Sequence, residues 1–248
     1  AVPAPIARRG RPQSLARLMP YAFVILPAAY LLVFMFYPLG RQIYLSLTRT
    51  RLANPNRSEF IGLTNYERLF GNPEFYSVVK ITLTYSIMAV ILGVAVGMIA
   101  SLALNRPFRG RTLVRGVLLF GWAVPNVAAA LIWLWIFNER SGVLNTIVTS
   151  LGLERVPWLT STDLALPSIL LVTVWQVAPF VMLVMLAALQ SVPEEVKEAA
   201  VIDGADKLSV FRAVTLPHIL PTLQLVSLLV MVWSIRRFDI IYLLTGGG

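Results

Sequence analysis

Leu164 to Pro193 reads L-A-L-P-S-I-L-L-V-T-V-W-Q-V-A-P-F-V-M-L-V-M-L-A-A-L-Q-S-V-P, thirty residues without one Asp, Glu, Lys or Arg. About 20 apolar residues cross the ~30 Å hydrocarbon core of a bilayer, at 1.5 Å per helical residue. The run is therefore long enough to span. Four more charge-free runs share that property: Leu18–Gly40, Ile81–Asn105, Gly116–Asn138 and Ala213–Ile235. Together the five hold half of the 248 residues, and every charge falls in the other half. Composition agrees, with 57% hydrophobic and only 13% charged residues, against roughly a quarter charged in soluble globular chains. The expected fold class is all-α, a polytopic helical membrane protein with five spans.

Several chemistries drop out. There is no cysteine, which removes disulfide frameworks, thiolate metal sites and Cys nucleophiles. His218 is the single histidine, so no metal ligand set and no catalytic residue is expected. The net charge of +9 places basic loops on a membrane face beside the spans, rather than a surface for nucleic acid. No G-K-[ST] occurs, hence there is no Walker A loop to cradle phosphates. The chain is expected to bind no cofactor and to hydrolyse no ATP itself.

Residues 1–19, with Arg8, Arg9, Arg11 and Arg17 among three prolines, read as a flexible basic arm, and 20–248 as the transmembrane domain. The first helix is expected over about Pro20–Leu39, bent at Pro27. A polar segment, Arg41–Lys80, carries the turn Phe60-Ile61-Gly62-Leu63-Thr64-Asn65-Tyr66. Gly93 and Gly97 make a G-x-x-x-G packing face on the second helix. Gly116–Asn138 is read as a single third span, and the fifth helix as about Ile219–Leu244. Eleven Lys and Arg lie on the side of the N-terminus and eight opposite, which favours a cytoplasmic N-terminus. Five spans then leave Gly246-Gly247-Gly248 outside, and a sixth helix is expected beyond them.

Residues 191–217 form the segment richest in information. Ser191 and Glu194 fit an S-x-x-E capping box, and Pro193 suits a first helical turn. Good helix formers run to Ile202, and Gly204 stands where a helix stops on a left-handed residue. A second short helix, about Asp206–Thr215, is expected to be closed by Pro217. The plain reading is a well-capped helix–turn–helix outside the bilayer, whose Ala199 and Ala200 leave a shallow surface for close approach.

Glu198-Ala199-Ala200, three residues, Gly204, nine residues, then Val214-x-Leu216-Pro217 resembles the EAA loop of bacterial binding-protein-dependent ABC importers, with Val214 where isoleucine is commoner. Phe60–Tyr66, the stretch Phe238-Asp239-Ile240-Ile241-Tyr242-Leu243-Leu244-Thr245-Gly246-Gly247-Gly248, and Trp133, Gly142 and Asn145 are similar to the carbohydrate permeases of the maltose, trehalose and glycerol-3-phosphate type, first permease of the pair. The resemblance implies the ABC importer permease fold in a bacterial plasma (inner) membrane. It also implies a second permease, an ATPase dimer that uses ATP and Mg, an external solute-binding protein and a carbohydrate substrate. Glu198, Ala199, Ala200, Asp203, Gly204, Leu216 and Pro217 would then couple to the ATPase.

Arg236, Arg237 and Asp239 fall inside the span read as the fifth helix, where ionised groups cost about 2.5–3.5 kcal/mol on insertion scales and usually face a cavity or partner; on that reading they line or gate the sugar path. Arg236 and Asp239, three apart on one helical face, are placed to pair; the plainer reading puts all three near the outer interface. A sugar path needs aromatic faces and neutral hydrogen-bonders at mid-membrane, and Trp175, Gln176, Gln224, Ser227 and Trp233 fit by type and depth. Trp122, Trp133, Trp135 and Trp158 read as belt or packing residues. Two other classes stay open at this point: an importer permease for a non-sugar solute, and an ion-coupled secondary transporter, although four of the five spans lack the buried charges that ion coupling uses.

Overall fold

The computed structural model describes residues 13–51 and 54–247. Residues 1–12 of the basic arm lie outside them. Two compact units are defined, 1–77 and 78–248.

In the first unit, helix α1 (Gln13–Leu31) passes through a π-helical turn, Leu32–Phe36, into α2 (Tyr37–Ser46). The helix thus begins seven residues before Pro20. It continues unbroken through Pro27 and is irregular just ahead of Pro38. A proline ring displaces the carbonyl four residues back, and a turn widened by one residue absorbs that clash. None of the apolar window within Phe23–Ser46 is buried. Strands β1 (Thr48–Arg51) and β2 (Asn54–Phe60) pair antiparallel, Thr48 opposite Phe60. This small hairpin departs from the all-helical expectation. The turn at 60–66 is present: Gly62 takes φ +60° ahead of α3 (Thr64–Phe70). Asn65 Nδ2 donates to the carbonyls of Ser46 (2.8 Å) and Thr48 (3.0 Å), satisfying groups that the end of α2 leaves open.

The second unit holds most of α4 (Pro73–Asn105), then α5 (Arg111–Ala123), α6 (Asn126–Ile136), α7 (Val143–Ser150) and α8 (Ala165–Gln190). After these come α9 (Glu194–Ile202), α10 (Lys207–Val210), a π-helical turn Phe211–Thr215, α11 (Leu216–Ile235) and α12 (Asp239–Thr245). The core lies along α8, two thirds of whose apolar window is buried (67%). Between helices in a bilayer, water exclusion contributes little and close packing must hold them. Helix α4 supplies it with a stripe of small buried residues, Ser86, Ala89, Gly93, Gly97 and Ser101. At Gly97 a Cβ would stand 2.5 Å from that of Val181 and 2.9 Å from the Ala178 carbonyl, whereas at Gly93 the nearest atom, on Val177, is 3.5 Å away. The expected packing face is therefore real, and its tight point is Gly97.

Two expected helices are broken. The third span divides into α5 and α6, which meet at 99°. The residue before a proline is driven out of the helical region, and Val124 before Pro125 is extended at ψ 126°. The fifth helix stops at Ile235, and α12 begins at Asp239. Among the described residues, four helices are long and apolar enough to span, or five if the bent pair counts as one.

Candidate functional site

At one end of α8 lies the loop 191–217. Its first helix, α9, has Pro193 at the N-cap and no side-chain cap, so the capping box is not formed. Ser191 still belongs to the last turn of α8 and donates to the Ala188 carbonyl at 2.8 Å, with His218 Nε2 3.4 Å from its oxygen. Glu194 instead accepts from Lys197 Nζ at 2.8 Å. The other end matches expectation. Gly204, at φ +88°, donates to Val201 O, and Ala205 donates to Ala200 O, both at 3.0 Å; this reciprocal pair defines a Schellman stop. Asp206 opens the next helix by accepting the Ser209 amide at 3.0 Å. Hydrogen bonds from the Ser209 side chain and amide hold its carboxyl below the ordinary carboxylate range.

Pro217 does not close that second helix. Residues Lys207–Ile235 form one continuous helical run, in which the π turn Phe211–Thr215 just ahead of the proline takes up its clash, with Leu216 N–H bonded to Phe211 O. Glu198, Ala199, Asp203, Gly204 and Pro217 are exposed and Ala200 is half-buried. Leu216 is half-buried and packs on the core beneath α11. Beside them, Val201 and Ile202 are 59% and 85% exposed. That apolar rim escaped the sequence reading, because residues at helical spacing on a short amphipathic helix look like packing.

The second cluster forms where the two helix breaks meet α8. Gln176, only 3% exposed, donates from Nε2 to the Val124 carbonyl (3.1 Å) and to Asn126 Oδ1 (3.0 Å). Its Oε1 accepts from Arg237 Nη1 at 2.5 Å. Asn126 Nδ2 donates on to Asp239 Oδ2 at 3.3 Å. One buried amide thus serves a carbonyl orphaned at the α5–α6 break and a guanidinium brought in at the α11–α12 break, which explains why both breaks persist. One turn earlier on α8, Thr173 Oγ1 meets Tyr85 OH of α4 at 2.8 Å, both buried. One turn later on the same face, Phe180 lies between Trp122 (centroids 4.8 Å) and Trp233 (4.9 Å), which are themselves 5.3 Å apart. A second aromatic file joins Trp175 to Trp133 (5.7 Å), Trp133 to Phe137 (5.3 Å) and Phe137 to Trp158 (6.0 Å).

Of the residues expected on a substrate path, the structure brings together Gln176, Trp233 and Asp239, with Trp175 in the adjoining aromatic file. Ser227 bonds the Leu223 carbonyl of its own helix, and Gln224 is exposed on α11. Arg236 is exposed and forms no ion pair with Asp239, because the helix that would have put them on one face ends between them. Arg237 was read only as one of three charges in the fifth span; Asn126 and Phe180 were missed, and Trp122 was read as belt or packing. Val124 before Pro125 was the available signal, since the residue before a proline is biased away from the helical region. Aromatic rings one helical turn from amide and guanidinium donors make a surface suited to a ring with an apolar face and a hydroxyl rim.

Helices long and apolar enough to span, broken around a polar cluster and followed by an exposed helix pair, make the architecture of a multi-span membrane protein. The chain belongs to the family described as binding-protein-dependent transport system inner membrane component, whose model matches residues 89–248. It is 38% identical over 227 residues to a probable ABC transporter permease protein, y4oQ, of Sinorhizobium fredii, covering 91% of this chain and 73% of that one. It is 36% identical over 228 residues to the trehalose/maltose transport system permease protein MalF of Thermococcus litoralis, covering 92% and 77%. Its fold matches, with a TM-score of 0.81, a bacterial ABC transporter involved in import of the acidic polysaccharide alginate, at 24% identity over 94% of this chain and 79% of that one. The resemblance seen in the sequence, and the fold class it implied, are borne out.

Proposed function

We propose that this chain is the first permease subunit of an ATP-driven carbohydrate importer in a bacterial plasma membrane, with its N-terminus in the cytoplasm. It forms the translocation path with a second permease, receives substrate from an external solute-binding protein and couples through the loop 191–217 to a separate ATPase dimer. Those ATPase subunits bind ATP and Mg and carry out the hydrolysis; this chain binds neither. The observation that carries the reading is the exposed pair α9–α10, in which α9 stops at Gly204 and α10 runs without interruption through α11 to the break beside Arg237. Glu198, Ala199, Ala200, Asp203 and Gly204 form the docking surface, with Val201 and Ile202 as its apolar rim. Leu216 and Pro217 join it to α11. Rigid displacement of the loop then moves α11 as a unit. The name of the Thermococcus relative supports a sugar cargo. The path follows the cluster of Gln176, Trp233 and Asp239 with Trp175; Gln224, Ser227 and Arg236 would line it only at the surface shared with the second permease.

Purification of the tagged full-length gene product from native membranes in mild detergent tests this. A second permease and an ATPase are expected at one-to-one-to-two stoichiometry. Recovery of the chain alone or as a homodimer, under conditions that keep a known importer intact, would overturn the assignment.

A further inference from the structure

The geometry points to Arg237 as the residue that reads an anionic group on the cargo, so that the substrates of this path are acidic rather than neutral carbohydrates. The inference rests on the sugar-importer reading above. Arg237 sits at the α11–α12 break with one N–H of its guanidinium given to a neutral acceptor, Gln176 Oε1. Among the described residues its other N–H groups meet no protein acceptor, and no carboxylate lies within 4 Å of it; the single ion pair found is Glu194 with Lys197, in the loop. The acid nearest in sequence, Asp239, is engaged by Asn126 instead. A largely buried guanidinium with no carboxylate in contact is costly, and such groups face a partner or a cavity. Its planar fork matches the two oxygens of a carboxylate or sulfonate.

The surroundings say what carries that anion. Gln176 and Phe180 share one face of α8 a turn apart, about 5–6 Å along the axis. The polar group therefore lies directly beside the Trp122–Phe180–Trp233 aromatic cluster. A saccharide ring laid on those aromatics would bring an acidic substituent to Arg237 and its hydroxyls to Asn126 and Asp239. Arg236, exposed next in sequence, adds a second positive charge at this end against the one carboxylate of Asp239, so the field here favours an anion over a neutral sugar.

The test uses the whole importer complex in detergent and tryptophan fluorescence, for which Trp122 and Trp233 are resident probes. Neutral disaccharides of gluco-, galacto- and manno-configuration are titrated beside their uronate counterparts. The expected result is about tenfold or tighter binding of at least one uronate than of its neutral partner, the worth of one charge-assisted hydrogen bond, with the preference shrinking as salt rises. Arg237→Gln should abolish the preference and Arg237→Lys should keep part of it. Should Arg237→Gln fail to assemble, Gln176→Glu places a carboxylate on the guanidinium and is expected to remove the preference in the same way. Equal or tighter binding of the neutral sugars by the wild-type complex, or a preference untouched by either charge-neutralising variant, overturns the inference alone. Binding of no member of any pair overturns the carbohydrate reading beneath it.

Discussion

Replacing Gly204 separates backbone conformation from contact, because nothing lies within 4 Å of where its Cβ would stand. A larger side chain therefore meets no clash there. What it meets is φ +88°, a left-handed conformation that costs an ordinary L-residue roughly 1–2 kcal/mol and a β-branched one at least as much. To escape that strain the chain must give up the bonds Gly204 N–Val201 O and Ala205 N–Ala200 O, each worth about 0.5–1.5 kcal/mol. Either route lowers the population of the observed loop by about 5–30-fold relative to alternatives. Asparagine visits this region far more readily. The expectation is that Gly204→Val loses most uptake in reconstituted vesicles while Gly204→Asn retains most of it, with both variants inserted at wild-type levels. ATP hydrolysis measured on the same vesicles should become insensitive to substrate in the valine variant. Equal uptake by the two variants at matched levels would refute the claim that loop geometry couples the subunits.

Three further outcomes follow from particular contacts. Gly97→Ala must push against Val181 and the Ala178 carbonyl, an overpacking that costs about 1–3 kcal/mol, while Gly93→Ala meets only ordinary contact; thermal unfolding in detergent should show a lower midpoint for the first and little change for the second. Gln176→Leu leaves the Val124 carbonyl and the Arg237 guanidinium without their buried partner, at about 1–3 kcal/mol for each such group, and a larger loss than from Gln224→Leu is expected in the same measurement. Asp206 has its carboxyl held below the usual value, so its contribution to the start of α10 is present above about pH 4 and is lost as pH falls through its own lower pKa. Amide exchange at Ser209 should follow that course, and Asp206→Asn should keep the cap while removing the pH dependence.

Spans and stops were legible because each is written locally. Charge-free length alone marks a span, and a glycine after a run of helix formers marks Gly204 as a left-handed stop. The breaks were harder. Gly116–Asn138 has the composition of one span, and what divides it is the steric demand of Pro125 on Val124, which a hydropathy reading averages away. Pro217 gave the opposite error. It looks like a terminator, yet the π turn before it lets the helix continue, as a second π turn does ahead of Pro38. The polar cluster was half visible: Gln176 stood out as an amide in a long apolar run. Arg237 stood out only as one charge of three, because in a continuous helix the geometry pairs Arg236 with Asp239, three apart on one face. Only the break at 236–238 turns Arg237 toward α8.

The same break gives the molecule its mechanical sense. Lys207–Ile235 is 29 residues of continuous helix, about 43 Å at 1.5 Å per residue, beginning in the exposed loop and ending beside the Gln176 cluster. Had the helix continued to Leu244, displacement of the loop would carry α12 with it as one rod. With the chain broken, the proposed coupling would move α11 against α12, which is packed on α6 and α8 through the buried Ile240 and Leu244. The link between the two is the short segment that holds Arg237 against Gln176. A small shift of α11 would therefore bear on the hydrogen bond between Arg237 and Gln176, at the link between the two helices. Packed cores do not deform continuously, and motion between such elements occurs by switching contacts of this kind. The residue that the proposed path offers to cargo is thus also the one that the coupling loop would move.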